Sequence, residues 1–297
     1  MRPPIALSIA GSDPSGGAGI QADLKTFTAL GVYGMAAVTA LTAQNTQGVH
    51  GVHAIHADFV EAQVTSVLDD MPVDATKIGM LANAEIVNRL GDLFSTRRDE
   101  LGVVVLDPVM ISSSGAPLLT EEASRVVIER LLPLTDVLTP NIVEAAFLLG
   151  ADMACDAEEM REQAQRLREL GPRCVLLKGG HLRGHDSIDV FVDGAGQVEL
   201  LRGRMLKTRN THGTGCTLSS AIAAQYARMA AYARQEDAQG ADDRMVVASA
   251  REFLADAIEN AVDWEISRAP ETGHGPVNHL ITVGGAVSRR GDDADVR

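Results

Sequence analysis

The chain begins with Ile5-Ala6-Leu7-Ser8-Ile9-Ala10-Gly11-Ser12-Asp13-Pro14-Ser15-Gly16-Gly17-Ala18-Gly19, an apolar run that passes into a glycine-rich loop. Short apolar runs bounded by turn residues are typical of buried strands, so we expect a strand at residues 5–10. Ile20, Leu24 and Phe27 follow at helical spacing, and Gly31 ends the predicted helix. Strand, loop and helix in this order form the first half of a βαβ unit.

The same alternation continues along the chain. Further strands are predicted at 35–41, 77–80, 103–107, 137–138 and 174–178, and a hairpin at 189–192 and 198–201. Helical patterns occur at 58–70 with Asp58 as the N-cap, and at 84–94, 120–132, 141–149, 157–170, 217–233 and 246–262. Alternating strands and helices favour an α/β fold, with a mostly parallel central sheet and helices on both faces.

No linker or internal repeat divides the chain, so we expect a single domain at residues 1–288. A polar, glycine-containing stretch from Gln235 to Asp243 is typical of a surface loop between two helices. The last residues, 289–297, are polar and are expected to form a disordered C-terminal tail.

Composition and charge exclude several classes of protein. Of the 297 residues, 45% are hydrophobic, which is enough for a packed core and argues against intrinsic disorder. The net charge of −14 argues against a nucleic-acid partner, because duplex binding needs a basic surface. No apolar run is long enough to predict a membrane span. Cys155, Cys174 and Cys216 are irregularly spaced, which gives no zinc pattern and favours a reducing, cytoplasmic compartment.

The first glycine-rich loop follows a strand, where parallel sheets bind their ligands. Gly11 and Gly16 have the spacing of a P-loop, but Gly17-Ala18 stands where Lys-Ser/Thr should follow. Residues 17–22 match the dinucleotide-binding pattern, yet residues 36–46 contain no acid to bind a ribose. A dinucleotide-binding loop and a merely tight turn stay open as weaker interpretations.

A second glycine-rich segment, Asn210-Thr211-His212-Gly213-Thr214-Gly215-Cys216, leads straight into a predicted helix. The N–H groups at a helix start have no intrahelical partner and can bind an anion. The hydroxyl groups of Thr211 and Thr214 add further donors. A glycine-rich turn before a helix is weak evidence for an anion site by itself. Two such loops in one α/β chain are more specific evidence.

The first loop and the residues after it, 11–23, resemble the opening signature of the hydroxymethylpyrimidine/phosphomethylpyrimidine kinases of thiamine biosynthesis. Further blocks match in the order of that family: Thr42-Ala43-Gln44-Asn45-Thr46, Lys77-Ile78-Gly79-Met80-Leu81, Asp107-Pro108-Val109-Met110, Thr139-Pro140-Asn141-Ile142-Val143-Glu144-Ala145, Lys178-Gly179-Gly180-His181 and Gly275-Pro276-Val277-Asn278-His279. The resemblance covers nearly the whole chain. It implies the ribokinase-like three-layer fold of that superfamily.

The resemblance also implies a reaction: transfer of the ATP γ-phosphoryl group to a primary hydroxyl on a pyrimidine, and then to the monophosphate. The turn at Gly213 and Gly215 would hold the transferring phosphoryl oxygens. Glu144, three residues after Asn141, resembles the superfamily's N-x-x-E motif, which acts on Mg²⁺ and its waters, and Asp107 can join it. The other residues expected to bind ATP are Lys178, Thr211, Thr214 and Asn141.

The pyrimidine must be recognised by a donor and an acceptor that face its ring edge. One amide, that of Gln44, supplies both, and in the family this glutamine reads the aminopyrimidine. We expect Asp23 to accept a hydrogen bond from the substrate. The remaining positions that match the family's pyrimidine pocket are Gly11, Ala18, Met80 and Val109.

Cys216 ends the motif Gly213-Thr214-Gly215-Cys216, where most ribokinase-like enzymes have an Asp that acts as the base. The pyrimidine kinases usually have cysteine there, so the resemblance implies that Cys216 accepts the hydroxyl proton. We expect a thiolate near neutral pH, because the N-terminus of a helix favours negative charge. The alternative is a small side chain that packs beside the phosphates.

Other functions compete with the pyrimidine kinase. A pyridoxal or pyridoxine kinase is the nearest alternative, because vitamin B6 has a similar ring with a hydroxymethyl arm. A non-catalytic ligand-binding protein on the same fold and an oxidoreductase are more distant alternatives. For the assembly, we expect a cytoplasmic homodimer that binds ATP and a small pyrimidine, with no nucleic-acid or membrane partner.

Two features of the sequence resemble functional sites, but we assign no function to them. His50, His53 and His56 recur every three residues, but the residues between them predict an extended chain that scatters the three side chains over both faces. A metal cluster there is therefore disfavoured. Cys155 and Cys174 are expected to be buried small apolar side chains.

Overall fold

The computed structural model describes residues 2–110, 120–180, 186–204, 206–236 and 242–282. The predicted tail at 289–297, His181 and the middle of the predicted loop at 235–243 lie outside these residues. The division into a domain at 1–288 and a tail stays a prediction.

The strands are β1 (Ile5–Ser12), β2 (Tyr33–Asn45), β3 (Gly48–Ala54), β4 (Ala75–Ile78), β5 (Val103–Leu106), β6 (Val137–Leu138), β7 (Cys174–Leu177), β8 (Asp186–Val192) and β9 (Val198–Arg204). The helices are α1 (Gly19–Ala29), α2 (Ala57–Asp70), α3 (Ala84–Arg97), α4 (Glu121–Arg130), α5 (Ile142–Leu149), α6 (Ala157–Glu169), α7 (Thr214–Glu236) and α8 (Asp243–Glu259). None of these helices combines the length and the hydropathy needed to cross a membrane.

Within the described residues, nine strands form one sheet in the order β3-β2-β1-β4-β5-β6-β7-β8-β9. Its central strands, from β2 to β7 in this order, pair in parallel. The three strands β3, β8 and β9 pair antiparallel at the two ends of the sheet. Since the central strands are parallel, their carboxyl ends lie along one edge, and the loops that follow them meet there.

In the part of the chain that the structure describes, two apolar cores lie on opposite faces of the sheet and give three layers. One core contains Val60 of α2, Ile86 of α3 and Ala164 of α6. The other contains Phe27 of α1 together with the small apolar side chains of α7 and part of α8. The predicted α/β architecture, mostly parallel with helices on both faces, is confirmed.

Local signals explain most helix N-termini and the C-terminus of α5. The side chains of Asn83 and Thr120 accept hydrogen bonds from backbone N–H groups of α3 and α4, and Gly150 ends α5 in the left-handed conformation. Two expectations were wrong. The N-cap of α2 is His56, and Asp58 lies in the first turn of that helix. Cys174 is buried as expected, but Cys155 is exposed.

Helix α7 begins at Thr214, three residues before the predicted start. The hydroxyl and amide of Thr217 both donate to the carbonyl of Gly213, at 2.9 and 2.8 Å. The segment from Thr214 to Cys216 therefore forms the first turn of a long helix, whose N-terminus carries the positive end of the helix dipole.

Candidate active site

A cavity of about 1160 Å³ lies along the carboxyl edge of the parallel strands. Fourteen of the fifteen residues proposed from the sequence line it: Gly11, Ala18, Gln44, Met80, Asp107, Val109, Asn141, Glu144, Lys178, Thr211, Gly213, Thr214, Gly215 and Cys216. The exception is Asp23. The fold therefore brings together side chains from loops that are far apart in the sequence.

The two glycine-rich loops are pressed against each other at the wall of this cavity. Gly213 has a φ of +80°, and an added Cβ there would lie 1.8 Å from the carbonyl oxygen of Gly17. No side chain fits at such a contact, so the approach of the two loops requires glycine at this position. The first turn of α7 is thereby held at the cavity, where its N–H groups can bind an anion.

A charged cluster faces the first turn of α7. Lys178 Nζ lies 2.9 Å from Asp107 Oδ1, and the hydroxyl of Ser219 donates to Asp107 Oδ2 at 3.3 Å. An added Cβ at Gly215 would lie 3.4 Å from both the ammonium and this carboxylate. Burial opposes the charge on Lys178, but Asp107 and Glu144 outweigh it and raise the pKa of the ammonium. A fixed cation therefore lies beside the anion-binding turn.

Glu144 belongs to a capping box at the start of α5. Its Oε2 accepts from the backbone N–H of Asn141 at 2.8 Å, and Asn141 Oδ1 accepts from the N–H of Glu144 at 2.9 Å. The carboxyl group is buried rather than solvated, and burial together with nearby Asp107 raises its pKa to about 7, against the opposing effect of Lys178. Asp107 and Glu144 are two buried carboxyl groups in one cluster, and together they offer a divalent cation the oxygen ligands that it prefers.

The expectation for Asp23 is wrong. Its side chain is fully buried and accepts four hydrogen bonds: two from Lys77 Nζ at 2.9 Å, and one each from the hydroxyls of Ser8 and Ser220 at 2.6 Å. A carboxylate with four such donors has no lone pair left for a substrate. Asp23 is instead the anion of a buried ion pair that joins β1, β4, α1 and α7.

This ion pair lies beneath Cys216. Ser220, which donates to Asp23, is one helical turn after Cys216 on α7, so both side chains lie on the same face. An added Cβ at Gly79 would lie 2.8 Å from Lys77 Nζ, so this glycine leaves room for the ammonium. Lys77 was assigned no role from the sequence, although it lies inside the block Lys77-Ile78-Gly79-Met80-Leu81.

The thiol of Cys216 is protonated at neutral pH. Burial raises its pKa to about 11, and the positive charge of Lys77 offsets only part of that effect. The expected thiolate at neutral pH is therefore wrong for this state of the site. The helix N-terminus was identified correctly, but burial of the sulfur is the larger influence.

Two more residues that sequence reasoning missed are Asp13 and His212. Asp13 lies in the first loop and His212 in the second, and His212 Nε2 is 2.8 Å from Asp13 Oδ2. The same nitrogen lies 3.3 Å from the amide of Gln44. Both residues were part of the quoted motifs, but only the tertiary contact shows that they are partners.

Comparisons with known proteins show similarity over nearly the whole chain. The family model described as phosphomethylpyrimidine kinase matches residues 13–278. The hydroxymethylpyrimidine/phosphomethylpyrimidine kinase of Rhizobium meliloti is 48% identical over 93% of this chain and 97% of its own. The protein of the same name from Escherichia coli is 46% identical over 93% of this chain and 97% of its own. A thiamine biosynthesis bifunctional protein of Geobacter sulfurreducens is 46% identical, and this chain matches 52% of its length.

Solved structures show the same pattern. The pyridoxal kinase of Bacillus subtilis, determined as an ADP complex, has a TM-score of 0.79 and 36% identity over 93% of this chain and 97% of its own. The pyridoxal kinase of Staphylococcus aureus in complex with AMP-PCP and pyridoxal has a TM-score of 0.80 and 34% identity, covering 94% of both chains. The phosphomethylpyrimidine kinase of Clostridium difficile has a TM-score of 0.72 and 38% identity over 86% of this chain and 99% of its own.

Proposed function

The chain belongs to the phosphomethylpyrimidine kinase family, and from this membership we infer that it phosphorylates hydroxymethylpyrimidine and then the resulting monophosphate in thiamine biosynthesis. The fold is the ribokinase-like α/β fold of its structural neighbours. The observation that carries the proposal is one cavity in which an anion-binding helix N-terminus, a lysine–carboxylate cluster and an amide suited to a ring edge all meet.

The phosphoryl group is held by the first turn of α7. The N–H groups around Gly213 and Gly215 point their positive ends at the transferring oxygens, and Lys178 adds a full positive charge beside them. Asn141, Thr211 and Thr214 line the same part of the cavity and complete the proposed ATP site. Phosphoryl transfer depends mainly on such positioning and charge neutralisation.

Magnesium is part of the proposal, with Asp107 and Glu144 as the residues that hold it. Their carboxyl oxygens are the ligands that this hard cation prefers, and they lie in the cluster beside the phosphoryl site. When bound, Mg²⁺ neutralises charge on the phosphate oxygens. Glu144 and Asp107 contribute by orienting the cation or its waters, while the capping box fixes Glu144 in place.

The pyrimidine lies at the other end of the proposed site, between the first loop and the ends of β2, β4 and β5. Gln44 faces the ring edge, and Met80 and Val109 supply apolar surface for the ring. Gly11 and Ala18 allow the ring to approach the backbone closely. Cys216 lies between this end and the phosphoryl site. Its thiol first loses its own proton to solvent, and the thiolate, beside the positive charge of Lys77, then accepts the hydroxyl proton as the new O–P bond forms.

Product analysis tests the proposed function. Incubation with ATP, Mg²⁺ and hydroxymethylpyrimidine, followed by phosphorus NMR, should show first the monophosphate and then the diphosphate. Failure to form either product in the presence of ATP would reject the proposal.

Gln44→Ala should raise KM for hydroxymethylpyrimidine by about 5–150-fold, the equivalent of about 1–3 kcal/mol, because it removes hydrogen bonds to a buried ring edge. KM for ATP should change less than about twofold, since Gln44 lies away from the phosphoryl site. Steady-state kinetics with each substrate varied in turn measures both constants. If KM for the pyrimidine is unchanged, another group reads the ring edge.

Glu144→Gln should lower kcat and shift the Mg²⁺ concentration needed for half-maximal rate upward, by about tenfold or more. The amide keeps the shape of the carboxyl group but loses its charge. A lower kcat would therefore come from weaker binding of the cation and not from altered packing. Full kcat at ordinary Mg²⁺ concentrations would contradict the assignment. Glu159→Gln, on an exposed turn of α6, is the matched control.

A cytoplasmic homodimer is also proposed. Leu41 of β2 and Val52 of β3 are about half exposed, at 49% and 47%, at the edge of the sheet. The two side chains lie on opposite faces of the sheet, because Val52 pairs with Thr42 and not with Leu41. The surface that a second copy could cover is therefore the outer edge of β3 itself, together with Val52.

Pyridoxal phosphorylation is the second candidate activity. It is favoured by the likeness to two pyridoxal kinases with TM-scores of 0.79 and 0.80.

A further inference from the structure

Asp13 is an ionised acceptor in the first glycine-rich loop. Its Oδ1 accepts from the N–H and hydroxyl of Ser15 at 2.8 and 2.7 Å, and its Oδ2 accepts from the N–H groups of Gly17 and Ala18 at 3.2 and 2.9 Å. Burial opposes ionisation, but the hydrogen bonds from His212 and Ser15 outweigh it and lower the pKa of Asp13 to about 2. At neutral pH this carboxylate has no proton to donate.

The ionised carboxylate determines the tautomer of His212. Its Nε2 lies 2.8 Å from Asp13 Oδ2, and two acceptors would repel each other at that distance. Nε2 therefore carries a hydrogen and donates it to Asp13. Any group that shares this N–H must be an acceptor.

The amide of Gln44 lies between this N–H and a hydroxyl group. Its Nε2 is 3.3 Å from His212 Nε2, which places two donors opposite each other. Its Oε1 is 3.2 Å from Thr42 Oγ1, whose only hydrogen has a shorter contact with the carbonyl of Ser12, at 3.0 Å. A half-turn of the amide exchanges oxygen and nitrogen and converts both contacts into hydrogen bonds.

We propose that the Asp13–His212 pair positions Gln44, holding its amide with Oε1 toward His212 and Nε2 toward Thr42. In this orientation one lone pair on Oε1 and one N–H on Nε2 remain for a ligand. The ligand edge must then present a donor on the His212 side and an acceptor on the Thr42 side. An amino group beside a ring nitrogen, as on an aminopyrimidine, presents this pair.

The pair thereby makes His212 a specificity-determining residue, and this inference rests on the proposed function. His212 directly precedes Gly213. The residue that orients Gln44 is therefore adjacent in sequence to the turn that holds the phosphoryl group. It acts through Gln44 and is a positioning residue, not a catalytic one.

Three variants test the proposal. His212→Leu removes the N–H, His212→Asn retains polarity but is too short to reach Asp13, and His212→Gln retains an N–H that can reach it. Asp13 keeps its four donors from the loop in every case, so the loop keeps most of its hydrogen bonds. Thermal unfolding checks that each variant is folded.

Dissociation constants for hydroxymethylpyrimidine, measured by calorimetry, provide a readout that does not depend on turnover. We expect the constant to rise about tenfold in the Leu and Asn variants and to stay within about threefold of wild type in the Gln variant. In a Gln44→Ala background, His212→Leu should have almost no further effect, because the two residues act in series.

An undiminished effect of His212→Leu in the Gln44→Ala background would overturn the proposal, as would equal losses in all three variants or no loss in any. Wild-type turnover is measured in the same series. A wild-type protein that binds the pyrimidine but does not phosphorylate it would refute the proposed function and leave the positioning of Gln44 to be judged from the dissociation constants.

Discussion

Lys77→Met should lower the free energy of unfolding by about 3–5 kcal/mol, because it leaves the carboxylate of Asp23 buried without its counter-ion. Both side chains of this pair have no exposed surface. The two serine hydroxyls that also bind Asp23 cannot neutralise its charge, so the cost falls on the folded state. Urea unfolding followed by circular dichroism measures the difference.

Two further variants show whether the charge is the cause. Lys77→Met combined with Asp23→Asn removes both charges and should recover most of the lost stability, since the remaining amide can still bond to the serines. Lys207→Met changes an exposed lysine and should stay within about 0.5 kcal/mol of wild type. A loss below about 1 kcal/mol in the single Lys77 variant would contradict the buried ion pair.

Cys216→Ser should lower kcat for the alcohol substrate by roughly 100-fold, with KM for ATP nearly unchanged. A serine hydroxyl fits the same space but ionises far less readily than a thiol whose pKa is about 11, so the anion that accepts the proton is scarcely formed. The second phosphorylation should suffer less, because a phosphate acceptor is already ionised. Wild-type turnover of the alcohol would leave Cys216 only a packing role.

The raised pKa of Cys216 makes a second measurement informative. The ordinary thiol pKa of 9.0 is shifted to about 11, so Cys216 is only half ionised near pH 11, where a free thiol is already almost fully ionised. Alkylation of Cys216 should therefore accelerate up to about pH 11, and bound pyrimidine should protect it. A Cys155→Ser background removes the exposed cysteine from this assay.

Local patterns predicted most of the fold. The spacing of Ile20, Leu24 and Phe27 predicted α1, and a helix closed by Gly150 was predicted at 141–149, because helix ends and amphipathicity involve residues close in sequence. The start of α7 was missed by three residues, since Gly213 to Cys216 reads equally well as a loop.

Contacts over long sequence distances were harder to predict. Asp23 and Lys77 are 54 residues apart, and nothing local shows that the carboxylate points into the core and not into the cavity. The protonation state of Cys216 was hard to predict for the same reason. The helix N-terminus is visible in the sequence, but the burial of the sulfur is not. The residues proposed from the family resemblance, apart from Asp23, line one cavity, but their partners are visible only in the structure.

The most direct test compares kcat/KM for hydroxymethylpyrimidine, its monophosphate and pyridoxal, measured in parallel with ATP and Mg²⁺. We expect turnover of both pyrimidines and a higher kcat/KM for hydroxymethylpyrimidine than for pyridoxal, because the oriented amide of Gln44 matches the aminopyrimidine edge. Phosphorylation of pyridoxal with no turnover of either pyrimidine would contradict it.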